Sequence, residues 1–225
     1  MTKRNFTFFL IFLPFLFFGQ EYFRLSADFT AKQKNADGNI GLTKGKVYYD
    51  KHTRILRYDI YFPRKMQWII TPDKMISRIE GQEPVIKEMS GLNEFSVFHL
   101  ALNASLDNFG LENSPFKLMK VDKKDDLVIS YWKLPPSTRK QPVGYIAVAK
   151  KKGRLESVVM MDKQKNIISK QFFKDYLERG GFVFPQRLVH IRYDDNGTPS
   201  YEVIEFKNIV LNDVEHNEKY EAGIR

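Results

Sequence analysis

A mainly β protein, an antiparallel sheet crossed by one helix, is predicted by three features of this sequence. Apolar and polar residues alternate with a period of two in segment after segment, the mark of half-buried strands. Turn-forming clusters separate those segments at the short spacing of a meander. One stretch alone switches to helical periodicity. The chain has 225 residues, of which 43% are hydrophobic, enough for one domain with its own core.

The first strand pattern starts after Tyr22. Phe23, Leu25, Ala27, Phe29 and Ala31 share one face, with Arg24, Ser26, Asp28, Thr30 and Lys32 on the other. The turn cluster at residues 35–39, Asn-Ala-Asp-Gly-Asn, leads into a second strand over residues 40–50, so the two form a hairpin. A third strand over residues 55–62 sets Leu56, Tyr58, Ile60 and Phe62 opposite Arg57 and Asp59. Pro63-Arg64 and Pro72-Asp73 bracket a strand at 66–71 and lead to another at 75–79. Phe95, Phe98, Leu102, Leu106 and Phe109 then step by threes and fours, with Ser96, His99, Asn103 and Asp107 opposite. That stripe predicts a helix near 93–109, capped by Asn93 and ended by Gly110. Strand patterns resume at 116–121, 127–132, 145–149, 155–161, 167–176, 184–193 and 201–211, and the proline-bearing stretch 134–142 reads as a longer loop. A curved sheet with an apolar concave face and one amphipathic helix across its opening accounts for both patterns, and such a geometry encloses an apolar pocket.

Residues 1–20 read as a cleaved signal peptide. Lys3 and Arg4 precede an apolar run from Phe6 to Phe18, too short for a comfortable membrane span of roughly 20 residues, and Gly19-Gln20 gives a small, polar exit. A mature domain over residues 21–225 in an exported location is therefore expected. The sequence has no cysteine, so export brings no disulfide framework and the fold must rest on its core. The absent thiol also means that a protein handling lipid would do so without a cysteine-linked lipid of its own.

The formal net charge of +9 favours anionic partners. A basic cluster is present in Lys44, Lys46, Lys51, Arg54, Arg57, Arg64 and Lys65, broken by Asp50 and Asp59. It reads either as a solubilising strand exterior or as a docking surface for an acidic partner or lipid phosphates. Nucleic acid is not expected, because the aromatics alternate away from the charges, whereas a base-stacking platform needs both on one surface. His52, His99, His190 and His216 are scattered without metal-ligand spacing, and no calcium loop, nucleophile elbow or phosphate-cradling glycine loop occurs. No catalytic constellation, metal or cofactor is expected.

Residues 28–80 resemble the periplasmic outer-membrane lipoprotein carrier family, the LolA-like proteins. The likeness lies in Asp28-Phe29-Thr30-Ala31-Lys32-Gln33, Gly45-Lys46-Val47-Tyr48-Tyr49, Leu56-Arg57-Tyr58, Phe62-Pro63 and Ile69-Ile70-Thr71-Pro72-Asp73-Lys74. The helix near 93–109 falls where that family places its lid, and residues 185–193 and 201–214 resemble its closing hairpin. The resemblance implies an incomplete (half) β-barrel with an α-helical lid and acyl chains held inside. It also implies a periplasmic, monomeric carrier of acylated lipoprotein or other lipid cargo, working between an inner-membrane donor and an outer-membrane acceptor. Two departures from the family are visible. The strand pattern begins almost at once after Gln20, with no preceding helix, and the family's Arg-Pro after the second strand, whose arginine latches the lid, reads Lys51-His52. Candidate cavity residues are Phe29, Tyr49, Leu56, Tyr58, Ile60, Trp68 and Ile70 from the sheet and Phe95, Phe98, Leu102 and Leu106 from the helix. Lys51, Arg54 and Arg57 are candidates for lid latch or docking. The alternative reading is a non-enzymatic envelope interaction or sensor module that binds a protein partner with the same scaffold.

Overall fold

The computed structural model describes residues 21–88, 95–135 and 142–221. Thirteen strands among these residues form one antiparallel sheet. In chain order they are β1 (Arg24–Lys34), β2 (Ile40–Asp50), β3 (Ile55–Phe62), β4 (Met66–Ile70), β5 (Lys74–Ile79), β6 (Val85–Glu88), β7 (Lys117–Lys124), β8 (Leu127–Lys133), β9 (Tyr145–Lys151), β10 (Arg154–Met161), β11 (Ile167–Arg179), β12 (Phe182–Tyr193) and β13 (Pro199–Leu211). Strand order across the sheet is β6-β5-β4-β3-β2-β1-β13-β12-β11-β10-β9-β8-β7. The sheet is thus two meanders joined where the first and last strands pair, and it stays open because β6 and β7 end it unpaired. This is the open antiparallel half-barrel that the sequence and its family resemblance lead one to expect, with a helix on it. The expected signal peptide at residues 1–20 and the expected helix cap at Asn93 lie outside the described residues.

The short exposed strand β6 has no alternating pattern and was not expected from the sequence. The helix differs more. It covers only Val97–Leu102, here α1, instead of 93–109. Ser96 caps its start, its hydroxyl accepting from the His99 N–H at 3.2 Å. Its end is a Schellman turn: Ala104 takes a left-handed φ of 51°, the Ala104 N–H bonds the Ala101 carbonyl at 3.2 Å, and the Ser105 N–H bonds the Leu100 carbonyl at 2.8 Å. Asn103 secures this end by donating from its side-chain amide to the His99 carbonyl at 2.8 Å. Leu106 and Phe109 keep the apolar period because successive turns, in place of helix, return them to the same core.

One face of the sheet carries that core. Leu25, Ala27, Phe29 and Ala31 of β1 pack with Val47 and Tyr49 of β2, Leu56 and Ile60 of β3, and Phe173, Phe184 and Phe206 from β11 to β13. Phe98 of α1 plugs into them, its ring 5.3 Å from Phe206, 5.7 Å from Phe184 and 6.3 Å from Tyr49. Gly45 is needed within β2 because the Phe29 ring occupies its side-chain space: a Cβ there would lie 2.7 Å from that ring and 2.5 Å from the Asp59 carbonyl oxygen.

On the opposite, convex face the chain after β13 folds back over β1 to β3. Tyr220 is buried against Tyr48 with ring centroids 5.6 Å apart, and the Arg24 guanidinium lies 4.6 Å from the Tyr220 ring centre. Arg24 Nε meets Asp50 at 2.6 Å. Arg57 forms a two-point pair with Asp59 at 2.8 and 3.2 Å and also donates to the Glu218 carbonyl at 3.2 Å. Three of the basic-cluster residues are thus paired within the chain: Arg57, Lys46, which reaches Asp28 at 3.7 Å, and Lys51, which reaches Glu21 at 3.1 Å. Burial opposes ionisation of Asp50, yet Arg24 and the backbone N–H groups of His52 and Thr53 hold its carboxyl below the ordinary value. Asp59 is likewise lowered against the effect of burial, by hydrogen bonds from Arg57, Gln67 and Lys219.

Two outcomes follow. Gly45→Ala is expected to destabilise by about 1–3 kcal/mol through overpacking, which lowers the melting temperature by roughly 2–10 °C on thermal unfolding. Asp50 and Asp59 have folded-state values below their unfolded ones, so their stabilisation is complete above the unfolded carboxyl value of about 4 and is lost as pH falls through the folded values. Melting temperature is expected to drop as pH is lowered below about 4, and Asp50→Asn should flatten that dependence.

Candidate functional site

The segment carrying α1 crosses the concave face, but it packs unevenly. Over the amino-terminal strands the contact is dense. Tyr49, Leu56, Ile60, Phe98 and Leu102 are buried in one continuous cluster, with Tyr58, Trp68, Ile70 and Phe95 packed against it. Tyr58 is ringed edge-on by Phe29 at 5.3 Å and Trp68 at 6.4 Å. Burial, together with the charge of Glu202, pushes the Tyr58 hydroxyl pKa up. A polar contact pins α1 to this side: Tyr49 Oη and His99 Nδ1 lie 2.7 Å apart. His99 sits on the predicted polar face of the helix, and the structure turns it inward to Tyr49.

Over the carboxy-terminal strands the packing opens into a cavity of about 770 Å³, within the range of roughly 300–1,000 Å³ typical of ligand pockets. Phe95, Phe109 and Phe116 from the crossing segment form one wall, and Val143, Ile146 of β9, Met160 of β10 and Ile168 of β11 form the other. Ser169 and Gln171 of β11 and His190 and Arg192 of β12 add a polar stretch to its lining. A smaller hollow of about 210 Å³ lies by Ala101, Leu106, Leu155 and Tyr176. Among the described residues, no three His, Asp or Glu side chains converge as a metal-binding group.

Of the eleven predicted cavity residues, Phe95 lines the large cavity and Leu106 the smaller one; the others form or flank the packed core that supports them. Alternation marks a concave face but does not distinguish filled from empty parts of it. The signal that could have extended the set is the same alternation at Ile146, Val148, Val158 and Met160, which equally places the carboxy-terminal strands on this face. The three candidate latch residues separate. Lys51 pairs with Glu21 next to β1, and Arg57 belongs to the convex face. Arg54 lines a hollow of about 250 Å³ together with His99, Leu100 and Ser105, so it is the one that meets the α1 segment.

The described residues thus form an open antiparallel half-barrel with a short helix laid over an apolar concave face. It is a LolA-like fold. No family model matches the sequence, nor does any curated protein. Among solved structures, a DUF1329 family protein from Desulfovibrio piger is similar over 89% of this chain and 90% of its own, at 14% identity and a TM-score of 0.64. A LolA superfamily protein from Nitrosomonas europaea matches over 89% and 91% at 10% identity and a TM-score of 0.60. A domain described as an outer membrane lipoprotein-sorting protein, from Vibrio parahaemolyticus, matches over 87% and 88% at 12% identity and a TM-score of 0.62. At these identities the likeness is one of fold. Among the described residues no helix is long and apolar enough to cross a membrane.

Tyr49→Phe is expected to loosen α1 without unfolding the sheet. Loss of one part-buried hydrogen bond is worth about 1 kcal/mol, so amide exchange across residues 97–102 should quicken by about fivefold while β1 and β2 amides stay protected.

Proposed function

We propose that this protein is a periplasmic carrier, without catalytic chemistry, that holds the acyl chains of lipoproteins or a related amphiphile. The observation that carries the reading is the apolar cavity of about 770 Å³ held open between the α1 segment and the concave face. An acyl chain of ~15 carbons exposed to water costs roughly 12 kcal/mol, at about 0.8 kcal/mol per methylene. A carrier must bury nearly all of that and still let go. Aliphatic and aromatic walls meet the first demand, and a cover held by one six-residue helix meets the second. The LolA-like fold supports the same reading, as do the signal-like residues 1–20, and a donor at the inner membrane with an acceptor at the outer membrane are the partners it calls for.

The alternative, an interaction or sensor module, has one observation in its favour: edge strand β7 exposes Leu118, Met119 and Val121 beside unpaired backbone.

Gentle purification of the exported protein followed by native and lipid-extract mass spectrometry separates the two. The carrier reading expects acylated peptide or lipid at near-stoichiometric amounts. Empty protein that also refuses added acylated lipoprotein would transfer the assignment to the interaction module. Met160→Trp, which fills the cavity from β10, should lower cargo content several-fold with the sheet intact, whereas Phe98→Ala should cost about 3–5 kcal/mol of stability.

A further inference from the structure

The polar residues of the concave wall form an ordered patch. Strand register aligns Gln33 of β1, Glu202 of β13, His190 of β12 and Gln171 of β11 in one row across four strands. Ser200, Arg192 and Ser169 make the next row toward the β12–β13 turn. Farther along the same face the equivalent positions are apolar: Leu188, Ile204, Phe184 and Phe206. The wall therefore changes from hydrocarbon to hydrogen-bonding surface along its length.

Within the patch Glu202 is the inner anchor. Gln33 donates to it at 2.6 Å, while Arg192 Nη2 and His190 Nδ1 stand 3.8 and 4.0 Å from its other oxygen. Arg192 Nη2 is also 3.4 Å from His190 Nδ1. Both neighbours of the guanidinium are reached through Nη2, although the group has five N–H donors. The Arg192 side chain is 64% exposed, against 20% for Glu202. Among the described residues lining the large cavity, Arg192 is the one charged side chain. Burial, with Arg192 beside it, pushes the His190 pKa down to about 4, so its ring is neutral at neutral pH. His190 and Arg192 also line a polar cleft of about 80 Å³ with Gln33, Ser200 and Glu202. The apolar cavity and the polar cleft thus share a wall made of these two residues.

We infer that this shared wall is a head-group seat: the ligand is an acyl amphiphile whose oxyanion head, a carboxylate or a phosphate ester, is held by Arg192 with hydrogen bonds from Gln171 and Ser169, while its tail lies along Ile146, Met160 and Phe109. The inference rests on the carrier reading and specifies which amphiphiles the cavity selects. Glu202 stands beside Nη2 only, so an anionic head takes the remaining N–H donors in charge-assisted bonds that an uncharged head cannot make, and a cationic head would be repelled by the guanidinium.

The test is calorimetric titration of the lipid-stripped exported protein with four tetradecyl probes below their micelle concentrations: myristate, tetradecyl phosphate, tetradecanol and tetradecyltrimethylammonium. Charge-assisted hydrogen bonding predicts that the two anionic probes bind about tenfold or more tighter than tetradecanol, with the cation weakest. Arg192→Gln should erase that preference, bringing the two anionic probes to the affinity of tetradecanol, while Arg192→Lys should keep part of it. The order of the two anionic probes separates a fatty-acid carboxylate from a phosphate-headed lipid as the source, and competition by inorganic phosphate or acetate alone reports on the seat without the tail. Equal binding of all four probes, or a preference that survives Arg192→Gln in a variant with unchanged melting temperature, overturns the inference and leaves the carrier reading in place. No binding of any probe overturns both.

Discussion

Pairing between the first and last strands is the constraint on which the rest of this molecule depends. The strands run in spatial order from β6 to β1 and then from β13 back to β7, so among the described residues the β1–β13 ladder is the one set of strand hydrogen bonds joining the two meanders. Its partners are as distant in sequence as Leu25 and Leu211. Each meander can form from local hairpins, but the concave face becomes continuous only when this long-range closure is made. The same ladder brings Phe29 opposite Phe206, Ala31 opposite Ile204 and Gln33 opposite Glu202. Core, wall and polar patch all straddle it.

Much of this architecture was legible from residue patterns. The alternation from Phe23 to Ala31 placed β1 correctly on its two faces, and the limits of β2 and β3 coincide with those read from the turn residues around them. Those strands are half-buried, the circumstance in which a period of two is informative. β6 escaped notice because all four of its residues are exposed and pairing alone holds it. The helix was overextended for a different reason. Spacing by threes and fours records which residues reach the core, and turns after Asn103 deliver Leu106 and Phe109 to it as well as a helix would.

The functional site was less legible, for a reason rooted in packing. A strand residue facing a void and one facing a ring obey the same pattern, so the emptiness beside Met160 and the fullness around Phe98 have no separate signature in the chain. Charge was similarly mute. Lys46 looks like a member of an exposed basic patch until register sets it between Asp28 of β1 and Asp59 of β3, and Arg57 is paired by Asp59, two residues along its own strand. His190 and Glu202 lie twelve residues apart in the chain and became neighbours only through the β12–β13 ladder.

From α1, which lies over the concave face, the chain runs through turns at residues 103–116 directly into β7, an outermost strand of the sheet. Cover and sheet edge are thus one continuous piece of chain on this side, and whatever displaces β7 bears also on Phe109 and Phe116, which wall the cavity.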